Sequence, residues 1–99
     1  MKMATVNFNP TLILAMVNLE SERANKIQKE LTRLQSIGYL NSQTGLDLAK
    51  TARQHMQKAY DLLEHLSTPE ATVLRRLIVD TMLVQERIIA RIEVAMLMT

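Results

Sequence analysis

The sequence predicts an all-α fold: an antiparallel three-helix bundle with long helices that pack in the manner of a coiled coil. Apolar residues recur at steps of three and four, which places them on one face of a helix. The chain of 99 residues contains only two Gly and two Pro, so it has few turns and few elements. Only 3% of the residues are aromatic, and an aliphatic core suits helices packing on helices better than stacked sheets.

The first helix is predicted over residues 10–37, after a flexible N-terminal arm over residues 1–9. Asn9 as the N-cap and Pro10 at the first helical position supply its start. Gly38 predicts its end, because glycine adopts the left-handed conformation that a Schellman motif requires. The residues on its apolar seam are Ile13, Val17, Ala24, Ile27, Leu31 and Leu34.

The second helix is predicted over residues 45–66 and the third over residues 69–98. Thr44 and Asp47 have the spacing of a capping box, which predicts the start of the second helix. Thr68, followed by a proline, repeats the pattern that begins the first helix. The seam of the second helix is an unbroken run of three and four steps: Ala49, Ala52, Met56, Ala59, Leu63 and Leu66.

The third helix carries apolar residues over a wider arc than one neighbouring helix can cover. Short connections make consecutive helices antiparallel neighbours, so residues 10–99 form a single domain in which the third helix outreaches the second by about 12 Å. We therefore expect a dimer or higher oligomer, or the binding of another protein's helix. The predicted contact residues are Leu12, Met16, Met82, Ile88, Ile89, Ile92, Met96 and Met98.

Two polar residues, Glu20 and Gln85, stand on seams between apolar neighbours. Either both side chains reach solvent at the rim of the bundle, or they set helix register and partner choice, as single polar seam residues do in coiled coils. The seven methionines leave a similar choice. They are either adaptable core filler or a deformable binding face.

The residue types that carry catalysis or metal binding are sparse. The chain has no Cys, and His55 and His65 are ten residues apart, about 15 Å along a helix and too far to share a metal ion. We expect both histidines to be solvated on the helix surface. No nucleophile with a base in reach, Gly-rich phosphate loop or recognisable carboxylate pair is present. We therefore expect no enzyme, cofactor, metal ion or small-molecule substrate.

The net charge is +2, and acidic residues interleave with the basic ones on all three helices. This pattern leaves a small nucleic-acid-associated regulator, which would use the basic outer faces, as the alternative function. Residues 12–19 are apolar but too few to span a bilayer, and we expect a cytoplasmic protein. The basic residues on the outer faces are Lys26, Lys29, Arg33, Lys50, Arg53, Lys58, Arg75, Arg76, Arg87 and Arg91.

The leading prediction is a non-enzymatic protein–protein interaction module, a small helical adaptor or chaperone. It would bury the apolar face of its C-terminal helix against a second copy or a partner helix. In size and helical pattern the chain is similar to bacterial secretion chaperones, phage accessory proteins and small dimeric regulators. That similarity is one of class and transfers no residue roles.

Overall fold

The computed structural model describes residues 9–98, and within that range it consists of three helices and no strand. Helix α1 spans Pro10–Ser36, α2 spans Gln43–Leu63 and α3 spans Pro69–Leu97. The central element is α2, which packs against both α1 and α3. The prediction of an all-α three-helix bundle is confirmed.

The predicted caps begin α1 and α3. The Asn9 side chain accepts a hydrogen bond from the Thr11 N–H at 2.9 Å, and the Thr68 hydroxyl accepts one from the Ala71 N–H at 3.1 Å. Each cap satisfies at least one of the amide groups that have no partner in the first turn of a helix. The rest of the predicted N-terminal arm lies outside the described residues.

A Schellman motif ends α1, as the sequence predicts. Gly38 has φ +80, the left-handed conformation that a side chain would strain. The N–H of Tyr39 donates to the Leu34 carbonyl at 2.8 Å, and the N–H of Gly38 donates to the Gln35 carbonyl at 3.2 Å. These two bonds satisfy carbonyls at the end of the helix and turn the chain toward α2.

The predicted start of α2 is wrong by two residues. Its N-cap is Ser42, whose hydroxyl accepts from the Gly45 N–H at 3.1 Å, and the helix begins at Gln43. Thr44 therefore lies inside the first turn and forms no capping box with Asp47. The Asp47 carboxylate instead accepts from the Gln43 side chain at 2.8 Å. Serine caps helices as readily as threonine does, and the backbone at Ser42 has the extended conformation of an N-cap residue.

The end of α2 is held by Arg75 of α3. The helix ends at Leu63, three residues before the predicted end at Leu66. One guanidinium nitrogen of Arg75 donates to the Leu63 carbonyl at 2.8 Å and to the Leu66 carbonyl at 3.1 Å. A cation at a helix C-terminus satisfies unpaired carbonyls and interacts favourably with the helix dipole. Arg75 therefore belongs to the structure of the α2–α3 corner rather than to a solvated basic face.

The core is aliphatic, and its residues come mainly from the predicted seams. The short side chains of Ala49, Ala52 and Ala59 are buried on the inner face of α2, so the backbones of its neighbours approach it closely. One buried cluster contains Ile13, Val17, Ala24, Met56, Ala59, Leu63, Leu66, Ala71, Ile78 and Met82. The second, at the other end of the bundle, contains Leu31, Leu46, Ala49 and Ile92.

We predict that Gly45→Ala destabilises the fold although alanine is the better helix former. A Cβ at position 45 would collide with the backbone carbonyl of Leu40, and backbone atoms cannot move aside as a flexible side chain can. We expect a loss of about 2 kcal/mol in urea unfolding, the range of overpacked sites. Gly38→Ala, at an open position with positive φ, is the control and should cost about 1 kcal/mol. A gain of stability in Gly45→Ala would contradict the close approach.

We predict that Arg75→Ala lowers the free energy of unfolding by about 1–2 kcal/mol, because two carbonyls lose a charged donor. The neighbouring Arg76 is exposed and makes no hydrogen bond or ion pair with residues 9–98. Arg76→Ala is therefore a matched control that should change stability by less than about 0.5 kcal/mol. Equal effects of the two variants in urea unfolding would show that Arg75 holds no carbonyl.

Candidate functional site

A groove separates α1 from α3. Within residues 9–98, no Cα atom of α1 lies within 8 Å of a Cα atom of α3, whereas both helices reach α2 at that distance. The two outer helices therefore meet through side chains alone. The resulting α1–α3 groove runs from Ser21 and Thr81 to Gly38 and Ala95.

The two walls of the α1–α3 groove differ in chemistry. The wall from α1 is polar and consists of Ser21, Asn25, Gln28, Thr32 and Gln35. The wall from α3 is mainly apolar and consists of Thr81, Val84, Ile88, Arg91 and Ala95. The floor contains Ala24, Leu31, Met56, Gln85 and Ile92. A surface of this composition suits an amphipathic helix, which presents apolar and polar residues on adjacent sides.

Gln85 lies at the floor of the groove and is unsatisfied. The residue is 7% exposed, and its side-chain oxygen has no hydrogen-bond partner among the described residues. A buried acceptor without a donor costs about 1–3 kcal/mol. The burial of Gln85 contradicts the prediction that it reaches solvent at the rim, while its predicted role in partner choice stays a prediction.

Glu20 forms a partly buried pair with His55. The Nδ1 of His55 donates to a Glu20 carboxylate oxygen at 2.6 Å, and the two side chains are 17% and 13% exposed. The expectation of a solvated histidine is therefore wrong for His55, whereas His65 is exposed. Glu20 also lies 3.6 Å from a guanidinium nitrogen of Arg23. The partners are 35 positions apart in sequence, so no local spacing could reveal the pair.

The eight predicted contact residues fall into three environments. The exposed ones are Leu12, Met16 and Met98. Those packed half-buried against the second core cluster are Ile88, Ile89 and Met96. Those buried in the chain's own core are Met82 and Ile92. Because the last two have almost no accessible surface, they do not touch a partner: Ile92 supports the groove from below, and Met82 packs in the first core cluster.

Exposed apolar residues on α3 that the contact prediction missed lie beside the α1–α3 groove. Val73, Leu77 and Val84 are 59%, 55% and 51% exposed. They project about 100–140° away from the buried Ile78 around the helix axis. The sequence already carried this signal, since their spacing of four and seven residues marks one face. A second set lies on the outer side of α3: Val79, Leu83, Val94 and Leu97.

The charged residues of α3 form two groups, one that faces α2 and one that lies beside the apolar line. Toward α2, Glu86 accepts from Arg53 at 2.7 Å, and Glu93 lies 3.8 Å from Lys50. Next to the apolar line of Val73, Leu77 and Val84, three charged residues make no hydrogen bond or ion pair with any other residue in the described range: Asp80, Arg87 and Arg91. The exposed side of α3 therefore presents unpaired charges of both signs beside an apolar strip.

The remaining titratable side chains in residues 9–98 do not form a catalytic or metal-binding cluster. Arg33 donates to Glu30 at 2.9 Å, and this hydrogen bond lowers the pKa of the Glu30 carboxyl. The pair stands on the surface of α1, outside the groove. In the described part of the chain, no three His, Asp or Glu side chains are grouped as metal ligands, and no helix has the length and apolarity to cross a membrane.

No protein family model matches the chain, and neither a curated protein nor a solved structure is significantly similar to it. The functional argument therefore depends on the geometry of the α1–α3 groove and the exposed side of α3.

We predict that Glu20→Leu costs about 1–3 kcal/mol in urea unfolding, because the partly buried His55 loses its acceptor. The double variant Glu20→Leu with His55→Leu should recover most of that loss, since a polar pair can be replaced by apolar side chains with little penalty. A double-mutant cycle measures the coupling. Additive effects of the two substitutions would mean that the pair contributes no stability.

Proposed function

We propose that this protein is a non-enzymatic protein–protein interaction module that receives a helix along the exposed apolar side of α3, beside the α1–α3 groove. The observation that carries the proposal is the line of Val73, Leu77 and Val84, each more than half exposed. Scattered apolar residues are ordinary on a protein surface, whereas apolar residues that recur on one helix face beside a groove are typical of an interaction site.

Burial of the apolar side of α3 would stabilise a bound state. Burial of apolar surface contributes about 25 cal/mol per Å2, so covering several hundred Å2 gives several kcal/mol before the costs of association. The end of α3 adds to this surface, since Leu97 and Met98 are 86% and 82% exposed. Helix α3 has eight more residues than α2 and is therefore about 12 Å longer. Because α2 is shorter, it leaves the C-terminal end of α3 uncovered.

The polar groups of the groove support selective binding. The Gln85 oxygen is buried at the floor of the groove, and a partner that draws this side chain outward and supplies a donor removes the cost of leaving it unsatisfied. A partner without such a donor leaves that cost in place. This difference is the basis on which an adaptor or chaperone of this kind would discriminate between helices. The absence of Cys from the sequence is compatible with a cytoplasmic site of action.

The alternative of nucleic-acid binding has less support. Lys50 and Arg53 are near carboxylates of α3, and Arg75 is bound to backbone carbonyls. Because these three side chains already interact with carboxylates or carbonyls, they are less able to bind phosphates. The salt dependence of the binding affinity distinguishes the two functions. Phosphate binding weakens steeply as the salt concentration rises, whereas apolar association is unchanged or strengthened.

The proposal is tested by site-specific photocrosslinking inside the native cell. A photoreactive amino acid replaces Val84, and the matched control places it at Lys58, which is exposed on the outer side of α2. We expect a discrete covalent product at position 84 and none at position 58. The product should disappear when Leu77→Asp is added, because a charge on the strip opposes apolar burial. No product at position 84 would overturn the proposed function.

A further inference from the structure

We propose that the helix bound along this side of α3 is α3 of a second copy, running antiparallel to the first. This inference rests on the proposed function and names the partner for it. It is argued from the spacing of the exposed apolar residues and from the charges between them. An antiparallel pair of identical helices has twofold symmetry, so one surface covers the other and no further surface is needed.

The apolar residues set the register. One side of α3 carries Val73, Leu77, Val84 and Ala95. The spacings between them are 4, 7 and 11 residues, and each is a sum of the three- and four-residue steps of a coiled-coil seam. If the twofold axis passes at Val84, then Val84 meets its own copy. In the same register Val73 faces Ala95 of the second copy, and Leu77 faces the aliphatic stem of Arg91 of the second copy.

The unpaired charges favour this orientation. Asp80 and Arg87 lie on the same flank of the apolar strip, about 20° apart around the axis. Antiparallel helices bring equivalent flanks together. With the axis at Val84, Asp80 of one copy and Arg87 of the second copy are offset from each other by only about 1.5 Å along the helix axis. Two Asp–Arg pairs form per dimer, and Arg91 of the second copy follows one turn beyond.

Other arrangements lose the Asp–Arg pairs, place like charges together or leave part of the strip uncovered. A parallel pair brings opposite flanks together, so Asp80 and Arg87 face the flank of Thr81 and Ile88 in the second copy and find no opposite charge there. Moving the antiparallel axis half a heptad toward the C-terminus brings Arg87 level with its own copy. Moving it the same distance toward the N-terminus leaves Ala95 and the exposed end of α3 without a partner.

Disulfide trapping in the full-length chain tests the register. The chain has no native Cys, so a Leu77→Cys chain and a differently tagged Arg91→Cys chain can be mixed and oxidised without interference. We expect the mixed 77–91 disulfide to dominate. Two copies of position 77 stand 14 residues apart along the antiparallel pair, or about 21 Å, beyond the roughly 7 Å between Cα atoms that a disulfide spans. Lys58→Cys measures random oxidation.

Charge reversal provides an independent test in which folding is not at risk, because Asp80 and Arg87 are exposed. Sedimentation equilibrium should show that Asp80→Arg weakens self-association about tenfold, since two attractive pairs become repulsive. Adding Arg87→Asp should restore most of the affinity, and Lys58→Asp should leave it unchanged. A charge swap that weakens association further would overturn the antiparallel pairing.

The outcomes separate this inference from the proposed function. A 77–77 disulfide in excess of the 77–91 product overturns the antiparallel arrangement. If the chain stays monomeric at tens of micromolar and the Val84 photocrosslink has a mass other than twice the chain, the second copy is overturned and the interaction module stands. A monomer that gives no photocrosslink overturns both.

Discussion

The close packing of α2 against both of its neighbours is the constraint on which the rest of the structure depends. Its inner face is lined by Ala49, Ala52 and Ala59, which let neighbouring backbones come near. The polar contacts to α1 and α3 lie on opposite flanks of α2, His55 toward α1 and Arg53 toward α3. The two outer helices are therefore held apart around α2, and the α1–α3 groove follows from that separation.

The groove leaves α3 with more apolar surface than its neighbours cover. On the side toward α2, the carboxylates of Glu86 and Glu93 are matched by Arg53 and Lys50. On the other side, apolar residues and unmatched charges face solvent together. The asymmetry is informative, because a helix that only needed to close the bundle would carry ordinary polar residues on its outer surface.

The sequence predicts most of the fold because the signals are local. The caps at Asn9 and Thr68 and the glycine at position 38 depend on a few adjacent residues, and helical spacing identifies the buried face. The groove could not be predicted, because it depends on how far apart two packed helices stand. The roles of Arg75 and His55 were missed for the same reason: their partners lie 9–12 and 35 positions away in sequence. The start of α2 was predicted wrongly for a different reason: Ser42 and Thr44 are both residue types that cap helices, and the structure uses Ser42.

Gln85 also bears on how this chain could change over time. Its unmatched carbonyl is a point of local frustration in a core that is otherwise internally consistent. A substitution such as Gln85→Met keeps roughly the same volume and removes the penalty, so selection for stability alone would favour it. The persistence of glutamine at this position in descendants of the gene would then measure how strongly the groove is maintained for what it binds.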